Sequence, residues 1–218
     1  MIQIHRFTFN PFQENTYLVA DAAGTCAIID PGCYTAAEQQ QLTDYIAARG
    51  WRVAVLLNTH GHIDHMLGNR FVKDTYQVPF LTHRGVIAEL QAASTYGLMM
   101  GIRATPSPEP DKLIDEGDQV AVGSLALHVH FTPGHSAGHI SFLDSSSGSL
   151  FSGDVLFHDS IGRTDLPGGS LPQLMDTIRD QFMTLDDAVR IYPGHGPDTT
   201  IGRERRHNPF ILGYLDRR

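Results

Sequence analysis

Three observations place this 218-residue sequence in the α+β class. Strand-like segments open the chain and return in its second half. Helix signatures with caps and apolar stripes lie between and after them. The run Leu125 to Phe131 alternates apolar with polar residues at period two, as a half-buried strand does.

The opening strands are expected at 2–9, 15–21 and 25–30, with Asn10-Pro11 and Ala22-Ala23-Gly24 as turns. Thr35-Ala36-Ala37-Glu38 matches a capping box and starts a helix whose apolar face is Leu42, Tyr45 and Ile46, with Gly50 as its stop. Val53 to Leu57 is a buried strand, and 66–76 and 84–96 read as helices either side of a short strand near Phe80. Residues 97–110 are irregular, either a surface connection or a lip over a site. In the alternating run, His128 and His130 face solvent or a covering helix. Leu171, Leu174, Met175, Ile178 and Phe182 form the stripe of a helix from Ser170, and strand 188–192 follows. No repeat or linker divides the chain, so one domain spans 1–218.

A net charge of −8 speaks against nucleic acid or membrane surfaces as partners. No stretch of eighteen or more apolar residues and no basic-plus-apolar leader occurs, so a soluble, cytoplasmic protein is expected. The two cysteines, Cys26 and Cys33, fit reduced structural thiols. Oligomeric state is not legible.

The chemistry concentrates after strand 53–57. Thr59-His60-Gly61-His62-Ile63-Asp64-His65 carries four potential metal ligands in six residues. In a near-extended segment His60 and His62 project to one side and can reach one ion. Asp64 and His65 come where the chain must turn and can face a second. His135, Asp154 and His195 each follow a strand-like stretch and sit beside a glycine, which permits the tight turn that aims a side chain inward. The expected sets are His60, His62 and His135 on one metal, and Asp64, His65 and His195 on the other. Asp154 bridges them, because only a carboxylate has two oxygens to share. Two divalent ions, two aspartates and one hydroxide leave a net positive site, suited to ionising water and stabilising an oxyanion. Zinc is the first choice of metal, with iron and manganese as alternatives. His139 would support a ligand by a hydrogen bond, and Asp30 either does the same or is an ordinary turn carboxylate.

With these residues the chain resembles the metallo-β-lactamase superfamily, whose His-x-His-x-Asp-His signature stands at His60 to His65 and whose distal ligands match His135, Asp154 and His195 in order. The resemblance runs from Asn15 through Asp30-Pro31-Gly32 to His195. It implies a four-layer αββα sandwich with metals at one edge of two sheets. Zinc β-lactamases use cysteine or serine in the place of Asp154, so the chain looks less like those. It is more similar to glyoxalase II, hydroxyacylglutathione hydrolase, in the compact bacterial type without a C-terminal helical domain. Ser160-Ile161-Gly162-Arg163-Thr164-Asp165-Leu166-Pro167-Gly168-Gly169 and the ending Thr200 to Phe210 carry that likeness. Two features depart from it. The basic glutathione-binding residues of the larger enzymes' extra domain have no room here, and His158-Asp159 replaces smaller residues.

The resemblance implies hydrolysis of a thioester such as S-lactoylglutathione by attack of a metal-bridging hydroxide, with Asp64 and Asp154 at the catalytic centre. The sequence offers no general acid, and a thiolate leaves without one. Arg163 either contacts a substrate carboxylate or pairs with Asp165. Arg203, Arg205 and Arg206 could contact substrate too, but a solvated helix face is the simpler reading. The main alternative is a persulfide dioxygenase, an oxidoreductase holding a single iron through positions matching His60, His135 and Asp154. A lactonase, a nuclease and an inactive binding module are more distant alternatives.

Overall fold

The computed structural model describes residues 1–215, so the last three positions of the expected 1–218 domain lie outside the described residues. Strands β1 (Gln3–Phe9), β2 (Glu14–Ala20), β3 (Thr25–Ile29), β4 (Arg52–Leu57), β5 (Phe80–Thr82) and β6 (Lys112–Leu113) form one mixed sheet in that order. Next in the chain come β7 (Gln119–Val122), β8 (Leu125–Phe131), β9 (Ile140–Asp144) and β10 (Ser149–Gly153). The short hairpin β11 (Leu156–Phe157) and β12 (Ser160–Ile161) follows, then β13 (Arg190–Pro193) and β14 (Thr199–Thr200). The second sheet runs β14-β13-β10-β9-β8-β7, parallel only between β10 and β13.

Side-chain alternation builds the layers. In β2 and β3, Leu18, Ala20, Cys26 and Ile28 pack outward under helices α1 (Ala36–Arg49), α2 (Asn69–Tyr76) and α3 (Ile87–Met99), beside Leu42, Val72 and Leu90. Their neighbours Tyr17, Val19, Ala27 and Ile29 point the other way, against Leu127, Val129 and Phe142 of the second sheet. Behind that sheet, Leu143, Leu150 and Ile191 meet α4 (Leu171–Thr177), α5 (Ile201–His207) and α6 (Pro209–Leu215) through Leu174, Ile201 and Ile211. Three apolar interiors thus separate four layers, helices–sheet–sheet–helices. Strands buried on both faces need apolar residues at successive positions, which is why β2 to β4 carry them.

Several boundaries shift from expectation. A 3₁₀ turn takes up Ile63–His65, and α2 starts only at Asn69, after Gly68 N–H donates to the Pro31 carbonyl (2.7 Å). Residues 84–86 are another 3₁₀ turn, and α3 runs on to Met99, shortening the irregular stretch. Leu171 is 50% exposed, outside the stripe it was expected to join, because it is the first residue of α4; the stripe continues through a π turn over Ile178–Phe182. His130 lies under that covering segment, 3.1 Å from Gln181. Both cysteines are buried free thiols whose pKa burial pushes up to about 12.

The capping box forms at Thr35 and Glu38. The Glu38 carboxylate accepts N–H bonds from Thr35 (2.8 Å), Tyr34 (2.9 Å) and Asn10 of the β1–β2 turn (2.7 Å). Burial raises its pKa, but these donors outweigh burial and hold it below the usual carboxylate range. A carboxylate with a depressed folded pKa contributes stability above its unfolded pKa, lost as pH falls through the folded value. Glu38→Gln is therefore expected to destabilise the chain at pH 7 by roughly 0.5–1 kcal/mol, solvent exposure limiting the effect. Urea midpoints measured at falling pH should show the gap from the parent closing below about pH 4; a gap unchanged in acid would refute the account.

Candidate metal centre

Four strand ends converge. His60 follows β4, His135 follows β8, Asp154 follows β10 and His195 follows β13. Backbone bonds lock these ends together: Ile140 N–H to Thr59 carbonyl (2.8 Å), Gly194 N–H to Gly153 carbonyl (2.9 Å) and Asn15 N–H to Gly194 carbonyl (2.7 Å). The 3₁₀ turn then swings Asp64 and His65 inward. Asn10 fixes that turn by donating from its side chain to the Asp64 and Gly32 carbonyls, both at 3.0 Å.

The side chains gather as two groups of potential ligands. His60, His62 and His135 bring ring nitrogens within 4.8 Å of one another, and so do the nitrogens and carboxylate of Asp64, His65 and His195. Asp154 lies between them. Its Oδ1 is 3.5 Å from His65 Nε2, and its Oδ2 is 3.5 Å from both His135 Nε2 and His195 Nε2. A third grouping, Asp30 with His60 and His65, is also geometrically close. There the Asp30 oxygens are already engaged, accepting from Thr59 N–H (2.7 Å), Thr59 Oγ1 (2.6 Å) and Asn58 Nδ2 (3.2 Å).

Ring orientation is set from outside the cluster. Thr59 spends its hydroxyl proton on Asp30, so it accepts from His60 Nδ1 (3.0 Å). His135 Nδ1 donates to the Arg163 carbonyl (2.8 Å), and His65 Nδ1 lies 3.3 Å from Asp30 Oδ2. In each case Nδ1 is engaged from outside and Nε2 is the atom left facing inward, the arrangement in which histidine binds metals. His139 holds the Asp154 backbone, its Nε2 accepting that N–H at 3.0 Å, while its Nδ1 meets Thr132 Oγ1 at 2.8 Å. Its support therefore reaches the aspartate through the main chain.

The electrostatics divide likewise. Burial, reinforced by neighbouring imidazoles, lowers His60 well below its ordinary pKa and His62 to about 4, which keeps both neutral. Burial also opposes charge on His65, yet the carboxylates of Asp154 and Asp64 outweigh it and raise that pKa strongly. Those carboxylates favour a cation at this place.

A metal fits this arrangement. Buried polar atoms nearly always find a partner. Among the described residues, His60 Nε2, His135 Nε2 and Asp154 Oδ1 are buried without a hydrogen bond, three of five such atoms. All three belong to the candidate ligands.

Sequence reasoning missed two carboxylates here, Glu89, which is half-buried, and Glu14, which is buried. Glu89 of α3 accepts from Gly61 N–H (2.9 Å), between His60 and His62, and bonds the side chain of Ser136, next to His135. It was the lone charge in the apolar stretch 85–93, a signal that could have found it. Glu14 is fully buried 4.0 Å from His65 Nδ1, and nothing in the alternation of β2 marks it. Of the two roles open to Arg163, the ion pair is formed, with Nε and Nη2 on Asp165 at 2.8 and 2.7 Å. Arg203, Arg205 and Arg206 are likewise held by Asp159 and Asp187.

The centre lies in a cavity of about 720 Å³ that is also lined by Tyr96, near the end of α3, and by Met100, from the stretch 97–110. Among the described residues no helix is long and apolar enough to cross a membrane.

Residues 9–195 match the family model of the metallo-beta-lactamase superfamily. A probable metallo-hydrolase of Bacillus subtilis, YqgX, is 35% identical over 212 residues, covering 96% of this chain and 97% of that protein. The hydroxyacylglutathione hydrolase GloC of Haemophilus influenzae is 34% identical over 202 residues, covering 92% of this chain and 93% of that protein. Among solved structures, BLEG-1 B3 metallo-beta-lactamase superposes with a TM-score of 0.89 at 32% identity, over 97% of this chain and all of that one. TTHA1623 in a di-iron-bound form gives 0.86 at 33% identity, over 94% and 99%.

Proposed function

This chain belongs to the metallo-beta-lactamase superfamily, and from that membership we propose that it is a dinuclear metal-dependent hydrolase of thioesters such as S-lactoylglutathione. The observation that carries the reading is Asp154, whose carboxylate stands within 3.5 Å of histidines from both ligand groups. His60, His62 and His135 would hold one divalent ion and Asp64, His65 and His195 the other, with Asp154 shared. Zinc is the first choice, iron or manganese the alternatives; the di-iron form of TTHA1623 supports a two-metal site.

Bound there, two cations would supply Lewis acidity and ionise water near neutral pH. The protein's own part is positional. Thr59, Asp30 and the Arg163 carbonyl fix the imidazoles, and His139 fixes the aspartate. Packed strand ends keep the centre from rearranging as charge develops on the carbonyl oxygen. A thiol has a pKa near 8.5 and leaves as thiolate without a proton donor. GloC supports a glutathione thioester as the reference substrate.

The test is loss of the thioester bond of S-D-lactoylglutathione, and of simpler acyl thioesters, by purified protein with and without a chelator. Turnover that the chelator abolishes is expected. No turnover of any of them by metal-loaded protein, with one iron per chain and sulfite formed from glutathione persulfide, would overturn the reading in favour of a dioxygenase.

A further inference from the structure

The cavity above the centre is built for an uncharged guest. Ala88, Ala92, Tyr96 and Met100 line it at intervals of four, a single stripe along α3 and its continuation. Phe12, Phe157 and Leu166 are among the residues that line it from other segments. The two alanines leave the stripe shallow over its first half, and Tyr96 and Met100 supply larger apolar surface over its second. Tyr96 and Met100 remain 43% and 54% exposed, as does Phe12 at 38%, which is apolar surface held open at the mouth of a site.

Charge points the same way. Apart from the candidate metal ligands, the charged residues of the lining among the described residues are Glu89 and Arg163. Arg163 is engaged by both oxygens of Asp165. Glu89 adds an acidic group. A thiol such as glutathione brings two carboxylates, and among the described residues the lining offers them no uncommitted cation. An apolar group gains from entering such a cleft without needing one.

We propose that the thioester cleaved here carries an apolar aliphatic or aromatic group that lies along the Ala88–Ala92–Tyr96–Met100 face. This rests on the thioesterase reading for the bond that breaks, and on the cavity alone for what surrounds it. The group could belong to the acyl side or the thiol side, and two substrate series distinguish them. One varies the acyl chain from acetyl to octanoyl on N-acetylcysteamine; the other varies the alkyl chain of the thiol on a constant acetyl group. The corresponding amides, in which nitrogen replaces sulfur, are titrated by calorimetry as a readout independent of turnover.

In one series kcat/KM should rise about fourfold per methylene, the equivalent of ~0.8 kcal/mol of buried CH₂, until the cleft is filled. Amide affinity should climb in parallel. Ala92→Phe should lower the ratio of longest to shortest substrate by roughly tenfold or more. Flat or falling trends in both series, with S-D-lactoylglutathione preferred and amides binding no better as they lengthen, would overturn the proposal. Amides that tighten with length while no thioester is cleaved would instead sink the hydrolase reading and leave the cleft assignment standing.

Discussion

Asp154→Ala is expected to reduce turnover on the order of 10³-fold or more, while leaving a folded chain. The side chain is 6% exposed, yet it is held ionised well below the usual carboxylate range. Burial alone would raise its pKa; the imidazoles of His65, His135 and His195 reverse that. Its three histidine neighbours come from both ligand groups, so removing it separates the groups and leaves His65 with less compensating charge. Metal content should fall below two per chain. The fold should survive, because Asp154 stands beyond the end of β10 and belongs to none of the three apolar interiors. Asp154→Asn sharpens the test: volume is kept and only the charge is lost. Two metals and near-normal turnover in the asparagine variant would end the bridging assignment.

What could be read from sequence follows the range of the interactions. His60, His62, Asp64 and His65 were legible because their geometry is local, a strand end followed by one turn. His135, Asp154 and His195 were legible one at a time, each through a strand and an adjacent glycine, and the fold brings them together. The layers could be anticipated from alternation, since Leu18 and Val19 face opposite interiors. Longer-range relations were not legible. The start of α2 is delayed by a bond from Gly68 to Pro31, and Glu89 meets Gly61 across 28 positions. Arg163 stood beside both of its candidate partners, one on the chain and one in solution. Sequence alone could not choose between them, because the choice depends on where Asp165 points.

Gly194→Ala is the second substitution with a large expected effect, and it separates space from backbone strain. A methyl group there would lie 2.1 Å from Asp154 Oδ1 and 2.6 Å from His65 Cε1. Its φ is not in the left-handed region, so the cost is the collision itself. The backbone cannot move away easily, because its N–H is bonded to the Gly153 carbonyl and its carbonyl to Asn15 N–H. The His65 ring is fully buried, which leaves Asp154 to yield, and with it the link between the two ligand groups. Turnover should fall roughly 10²-fold or more, with metal lost in proportion. Gly196→Ala, two residues on, supplies the control. Its φ is +75° but nothing lies within 4 Å of the added methyl, so it should cost on the order of 1 kcal/mol in stability and leave metal content intact. If both variants lose stability alike and both keep two metals and full turnover, Gly194 is only a turn residue. If the first loses its metals and the second keeps them, the close approach of Gly194 to Asp154 and His65 is what holds the centre together.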